Sequence, residues 1–487
     1  MHQFLAMLKI FSFFAAILLI QTTAAQSIAG DWSGKITVQT TELPIEFHIK
    51  DSAGVFSATF DSPKQQAYGL PCSGVELKGD SLYVFMKMIN GKYVGQLSPD
   101  HKRAFGTWYQ GINAMSLDLQ KTSDVVTKKE LKRPQTPKPP YSYNSEEVIY
   151  NNADSSIRFG ATLTTPLIQK GKLAHPAPAA ILITGSGKQD RDETIFQHKP
   201  FAVIADYLTR NGYVVLRVDD RGEGKTTGKF NTATTADFAK DVAAGIRYLK
   251  TRAEVDTNQI GLIGHSEGGM IAPMVAVNNP SVHWIILLAG TGAPIIDMMT
   301  QQNVDILKSN GLAEADALQY GVLYKNIVTL VAASTDTVEA RKKAAEIFDY
   351  WQQKQTPEMV RIATGVTNEK SRDQFLRALI YQLKQPWFDY FIKQDPAQYL
   401  SKLNGAVLAL NGEKDIQVNA DLNINAIKKT IGKQAKLTTK IYPQLNHLFQ
   451  HCTSCTVDEY GVLEETFSTE VLADMVQWLD KTTQLKK

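Results

Sequence analysis

The residues with the clearest chemical promise are Gly264-His265-Ser266-Glu267-Gly268-Gly269, which follow the apolar run Ile260-Gly261-Leu262-Ile263 and lead into another apolar stretch. Strand, sharp turn and helix in that order, with G-x-S-x-G at the turn, make a nucleophile elbow. Its glycines let strand and helix pass close together, and its serine takes strained dihedrals that expose the hydroxyl. A serine hydroxyl is a poor nucleophile until a base removes its proton and an acid orients that base. For such an elbow the chain order is serine, acid, histidine. Downstream, Asn411-Gly412-Glu413-Lys414-Asp415 offers Glu413 and Asp415, and of nine histidines only His447 and His451 lie beyond it. Asp415 is preferred, since a longer loop lets a short carboxylate turn back towards the imidazole, and Glu413 is kept as the lesser choice. His447, in Leu445-Asn446-His447-Leu448, is preferred to His451, which is flanked by Cys452. The developing oxyanion needs preorganised backbone donors. The amide of Glu267 is one, and the glycine-rich Thr184-Gly185-Ser186-Gly187-Lys188 supplies the other, with Ser186 chosen and Gly187 close behind. Only the Glu267 amide enters this reading; its side chain is expected to face solvent or pair locally.

These residues need a scaffold that brings strand ends together. Past an expected antiparallel pair, Glu146 to Tyr150 and Ile157 to Leu163, strands and helices alternate: strand Ala179 to Thr184, helix His198 to Asn211, strand Val214 to Val218, helix Thr235 to Thr251, the elbow, and strand Trp284 to Ala289. Such alternation specifies an α/β fold with a mainly parallel, doubly wound sheet, in which ligands sit at the carboxyl ends of the strands. After Pro294 a helical pattern runs to about Leu403. It reads as a cap, about 296–403, inserted before strand Ala406 to Leu410, helix Ala420 to Ile431, strand Lys436 to Tyr442 and a last helix Glu465 to Asp480. Cap aromatics Trp351, Trp387, Phe388, Tyr390 and Phe391 are expected chiefly as core, with an acyl-pocket wall as the second reading. The loops Asp190-Arg191-Asp192-Glu193 and Asp219-Asp220-Arg221-Gly222-Glu223-Gly224 are expected to pair and shape the rim. Gly224-Lys225-Thr226 echoes the end of a phosphate loop, but position 219, where its first glycine would stand, is Asp219. His265 is expected to pack beside the elbow.

Ahead of this region, Ile28 to about Lys121 is strand-rich and punctuated by turns such as Asn90-Gly91, which predicts a small antiparallel β-barrel or sandwich. Gly30-Asp31-Trp32-Ser33-Gly34 resembles the G-x-W opening of lipocalin-like barrels, and Trp32 and Trp108 are expected to plug a filled interior. Residues 122–142, rich in proline and lysine, predict a stiff, exposed linker, so domains are expected at 26–121 and 143–487. Lys9, the apolar run Ile10–Ile20 and small residues up to Ala25 read as a cleavable signal peptide, hence a secreted or periplasmic protein. That run is too short for a membrane span. The formal charge of +3 over 487 residues leaves no nucleic-acid footprint. Of three cysteines, Cys452 and Cys455 can close a small loop in an oxidising compartment, and Cys72 reads as a small buried hydrophobe. No metal site or cofactor motif is expected.

Five blocks in order, Thr184-Gly185-Ser186-Gly187-x-Gln189-Asp190-Arg191-Asp192, Asp219-Asp220-Arg221-Gly222-x-Gly224, Gly264-His265-Ser266-Glu267-Gly268-Gly269, Gly412-x-x-Asp415-x-Gln417-Val418 and Leu445-Asn446-His447-Leu448-Phe449-Gln450, resemble the signatures of bacterial α/β-hydrolases of the esterase-D and serine-aminopeptidase-like group. The resemblance covers about Glu146 to Leu479. It implies an α/β-hydrolase fold with Ser266, Asp415 and His447 as triad. The expected activity is hydrolysis of small-molecule carboxylic esters through an acyl-enzyme. A serine peptidase sharing the triad is the first alternative, and a binding protein whose barrel works while the hydrolase fold is inert is the second. An exopeptidase would need a carboxylate for a free amine, and Glu358, Asp373 and Asp389 are equal candidates.

Overall fold

The computed structural model describes residues 27–38, 41–63, 67–86, 91–110, 113–123, 132–167 and 176–484; the apolar run Ile10–Ile20 and the expected cleavage point after Ala25 lie outside them. The chain divides into two compact units, residues 1–129 and 130–487.

The first unit consists of strands β1 (Gly30–Val38), β2 (Thr41–Ser52), β3 (Val55–Ser62), β4 (Ala67–Pro71), β5 (Gly74–Lys78), β6 (Ser81–Met86), β7 (Gly91–Leu97), β8 (Arg103–Gln110), β9 (Asn113–Ser116) and β10 (Leu119–Ser123). They pair antiparallel in the order β4-β3-β2-β1-β10-β8-β7-β6-β5, with β9 on β8. The two ends of that order, β4 and β5, are consecutive in the chain. Between them the Cys72 amide donates to Ala58 on β3 (2.9 Å) and the Ser73 amide to Phe85 on β6 (2.7 Å). The sheet therefore curls until its edges meet, which shields strand edges from stray pairing. Alternation along β2 sends Ile45, Phe47 and Ile49 inwards, where Trp32 and Trp108 are 0% and 1% exposed and Trp108 stacks on Phe60 at 5.5 Å. Bulky rings fill the interior, as the sequence reading favoured. Cys72 is half-buried against this core, and its thiol is pushed up to about 12 by burial.

The second unit begins with β11 (Tyr143–Asn151), β12 (Arg158–Pro166) and β13 (Ala177–Ile183), then α1 (Pro200–Arg210), β14 (Val214–Val218), α2 (Thr235–Leu249), β15 (Val255–His265), α3 (Gly268–Ala276) and β16 (Val282–Leu288). Helices α4 (Ile295–Ser309), α5 (Glu314–Ala333), α6 (Thr337–Gln352), α7 (Pro357–Thr364), α8 (Glu369–Leu383), α9 (Pro386–Phe391) and α10 (Ala397–Leu400) intervene before β17 (Ala406–Gly412), α11 (Ala420–Thr430), β18 (Lys436–Tyr442) and α12 (Thr469–Thr483). The sheet runs β11-β12-β14-β13-β15-β16-β17-β18. It is parallel from β14 to β18, and β12 opposes both of its neighbours.

All seven residues of β13 are buried, and they alternate between two cores. Ala179, Ile181 and Ile183 pack with α2, α3 and α11 residues such as Ala244, Ile271 and Ile427 on one face, while Ala180 and Leu182 pack with α1 and α12 residues such as Phe201, Leu208 and Met475 on the other. A strand covered on both faces reads as a continuous apolar run, which is why no polar alternation marks it in sequence. The cap has a third core of its own, with Ile327, Phe348, Trp351 and Leu376 at its centre.

The linker departs from expectation. From Arg133 onwards it is docked on the second unit rather than exposed throughout. The Arg133 guanidinium donates to the carbonyls of Phe196 (2.8 Å), Gly461 (2.7 Å) and Leu463 (2.8 Å). Gln135 donates to Phe467 O (2.7 Å) and accepts from the Thr466 amide (2.5 Å). Hydrogen bonds from a charged donor contribute about 1.5–3 kcal/mol each, enough to fix a segment that its prolines keep from folding regularly.

Candidate active site

Ser266 stands at the end of β15 with φ 54°, a left-handed conformation costly for a residue with a Cβ. Its amide donates to Leu288 O at 2.9 Å, tying the turn to β16. The flanking glycines are required by space: a Cβ at Gly264 would overlap the Gly268 carbonyl, and one at Gly268 would overlap the Ile183 carbonyl on β13. The strained serine is thus held by a turn that admits no larger neighbours.

Asp415 lies in the loop after β17, and its side chain is fully buried. Its Oδ1 accepts the amides of Gln417 and Val418, both at 2.8 Å, and its Oδ2 meets His447 Nδ1 at 2.8 Å. Asn411 Nδ2 adds a longer bond to Oδ2 at 3.3 Å. His447 and Ser266 line one cavity of about 220 Å³ over the carboxyl ends of the parallel strands. The lesser candidates stand apart. Glu413 is exposed beside Lys414, and His451 is exposed with its Nδ1 2.9 Å from Glu465.

The loop after β13 is spoken for at its first glycine, whose amide donates to Glu193 Oε1 at 2.7 Å. Of the two positions the sequence left open, Ser186 lines the cavity with Ser266, while Gly187 (φ 94°) lines a smaller one of about 50 Å³ behind the loop. Glu267 lines both cavities. Its side chain does not face solvent, however: it is 2% exposed, and its Oε1 accepts from Thr235 Oγ1 (2.6 Å) at the start of α2 and from Trp387 Nε1 (2.9 Å) on cap helix α9. Burial raises the Glu267 pKa against the lowering effect of these donors and of the Ser186 hydroxyl. Glu267 therefore pins the cap to the elbow.

Sequence reasoning missed Glu193 as more than a rim charge. Its buried Oε1 also meets His265 Nδ1 at 3.0 Å, and His265 Nε2 lies 3.1 Å from the His447 carbonyl. One carboxylate thereby links the Gly185 loop to the turn that carries His447. Burial disfavours a charged His265 ring, but the charge and hydrogen bond of Glu193 outweigh it and raise its pKa. The two charged loops do pair, through Arg191 and Asp219 (2.6 Å) and through the Asp220 amide on Gln189 O (3.1 Å). Trp387 and Phe391, stacked at 5.0 Å, line the cavity, whereas Trp351 and Phe388 belong to the cap's own core. The carboxylates weighed as amine grips are all on the cap surface in ion pairs: Glu358 with Arg361, Asp373 with Arg377, and Asp389 with Lys384 and Lys393. Cys452 and Cys455 are joined in a disulfide.

Asp220 gives this network a measurable pH signature. Its carboxylate accepts from Thr184 Oγ1 (3.1 Å) and the Gln189 amide (2.8 Å), and burial raises its pKa to about 7. A raised folded-state pKa means the folded chain holds a proton that the unfolded chain has released. Its stabilisation is full below about pH 4 and is lost as pH rises through about 7. In Asp220→Asn that component vanishes, so the Tm difference between variant and wild type is expected to move in the variant's favour from pH 5 to pH 8. Melting curves at the two pH values check this; an unchanged difference would place the proton elsewhere.

The model of the X-Pro dipeptidyl-peptidase (S15) family matches residues 153–438. Esterase EstD of Thermotoga maritima is 29% identical over 174 residues, 36% of this chain and 39% of that protein. The chain thus spans about two fifths of the length of this curated relative. Among solved structures, the α/β hydrolase GrgF of Penicillium sp. gives a TM-score of 0.42 at 14% identity, covering 70% of this chain and 100% of that one. Est1E of Butyrivibrio proteoclasticus, solved with ferulic acid bound, gives 0.39 at 16% identity, covering 69% and 100%. Likenesses this distant transfer no residue role. The family match spans well over half of the 487 residues, and the chain belongs to the X-Pro dipeptidyl-peptidase (S15) family.

Proposed function

We propose that the protein is an exported serine hydrolase that cleaves small carboxylic esters through an acyl-enzyme. The observation that carries this reading is the buried Asp415–His447 hydrogen bond (2.8 Å) at a cavity that His447 and the strained Ser266 both line. With Nδ1–H held by Asp415, the His447 ring keeps its lone pair on Nε2 for the serine proton. Ser266 Oγ attacks the ester carbon as its proton passes to Nε2. The amides of Glu267 and Ser186 hold the oxyanion. Collapse breaks the carbon–oxygen ester bond, the alcohol leaves with the proton from Nε2, and water then repeats the sequence to free the acid and Ser266. Export is supported by the charged, apolar and small-residue order up to Ala25. Among the described residues, no helix is long and apolar enough to cross a membrane.

The cavity supports an uncharged acyl group. Ile195, Met298, Met299, Trp387, Phe391 and Leu448 wall it, and Glu193 and Glu267, its two carboxylates, are already bonded to protein donors. The family description favours a second reading, a serine peptidase with the same triad. Relative kcat/KM on nitrophenyl esters and on aminoacyl and X-Pro anilides decides between them. Preference for the esters is expected; preference for an anilide overturns the esterase reading.

A further inference from the structure

The first unit carries a cluster of side chains that the hydrolase chemistry does not use. Strand alternation puts Phe47 and Phe60 in the barrel core, and the same alternation puts Glu46, His48 and Asp61 together on the outer wall. One ligand-type atom from each of these three lies within 4.8 Å of the other two. The His48 Nε2 to Asp61 Oδ2 separation is 3.1 Å. Two ligands bound to one tetrahedral zinc ion at about 2.0–2.1 Å stand about 3.3–3.4 Å apart. The His48–Asp61 ion pair needs to open by only a few tenths of an ångström to reach that spacing.

Two further observations lie outside the spacing itself. Glu46 and Asp61 are directly opposed across the β2–β3 ladder. Like charges opposed across a ladder are destabilising, and a cation between them, either the protonated His48 ring or a bound metal ion, turns that repulsion into attraction. Asp31, directly opposite His48 on β1, lies outside the ligand trio and places Oδ1 2.6 Å from His48 Nδ1. A carboxylate on the distal nitrogen is the usual partner of a metal-binding imidazole, because it fixes the ring and leaves Nε2 to face the ion. In the second group of metal-ligating residues among those described, Cys452, Cys455 and Glu459, the thiols are joined in a disulfide and offer no thiolate.

We propose that Glu46, His48 and Asp61 bind a zinc-class divalent cation on the outer wall of the barrel, with Asp31 orienting His48 and water completing the sphere. One nitrogen and two carboxylates suit Zn²⁺ or Mn²⁺, and the imidazole disfavours Ca²⁺. The ion would clamp β2 to β3, with β1 held through Asp31, so its role is to brace the first unit.

The test uses the full chain, stripped with chelator, dialysed against Zn²⁺ and desalted. About one zinc per chain is expected by elemental analysis, with a rise in Tm on adding Zn²⁺ but not Ca²⁺. Glu46→Gln removes a ligand and relieves the opposed pair, so it is expected to fold and to lose both the retained zinc and the Tm response. Asp31→Asn is expected to weaken zinc binding about 10–100-fold. A Cys452→Ser/Cys455→Ser double variant is expected to keep the ion. Failure of the wild-type chain to retain zinc, or equal retention by Glu46→Gln, which would mark adventitious binding only, overturns the proposal.

Discussion

Ser266→Ala is expected to lower kcat on a nitrophenyl ester by about 10⁶-fold while leaving Tm nearly unchanged. The size follows from what the hydroxyl does. It is the only protein atom in the proposed scheme that forms a bond to carbon, and without it no acyl-enzyme forms and His447 has no serine proton to take. Residual turnover then comes from the oxyanion amides and binding alone. Stability is spared because Ser266 is partly exposed at its turn and the amide bond to Leu288 is independent of the side chain. Loss of labelling by a fluorophosphonate should accompany the loss of rate. A variant that still labels, or that keeps more than about a hundredth of wild-type kcat, would be inconsistent with a nucleophile at this position.

Asp415→Asn is expected to lower kcat by about 10⁴-fold, more than a missing charge alone would suggest. The Gln417 and Val418 amides both point at Oδ1 and can accept nothing, so the asparagine oxygen must take that place. Its NH₂ then faces His447 Nδ1 and donates to it. The ring is forced into the tautomer that carries its proton on Nε2, where a lone pair is needed. Glu413→Gln supplies the control: that side chain is exposed and pairs loosely with Lys414 at 3.6 Å, and kcat should stay within about twofold. Steady-state kinetics of the two variants separates the candidates. Equal losses, or a greater loss at Glu413, would reverse the choice of acid.

Both expectations rest on residues visible in the sequence, for a physical reason. A parallel sheet puts catalytic side chains at strand ends, and strand ends are marked by apolar runs giving way to Gly-rich loops, as at Ser266 and Asp415. The cap was visible because a helical stretch interrupted the alternation between β16 and β17. Side-chain direction was less legible. Glu267 and Glu193 look like rim charges in a linear reading, yet both are buried because their donors, Trp387 and His265, come from distant segments. Short barrel strands are also hard to read one by one from sequence. β4 and β5 have five residues each, too few to establish a period, and exist because β3 and β6 offer them unpaired edges.

The Arg133 anchorage bears on how the two units can be separated. A shortened enzyme made to start at the first strand of the hydrolase sheet, near Tyr143, would leave the carbonyls of Phe196, Gly461 and Leu463 without their guanidinium. Two of those carbonyls, Gly461 and Leu463, belong to the segment that follows the turn presenting His447. The natural place to cut is upstream of Lys132, so that the tail sequence travels with the catalytic body as an integral part of it.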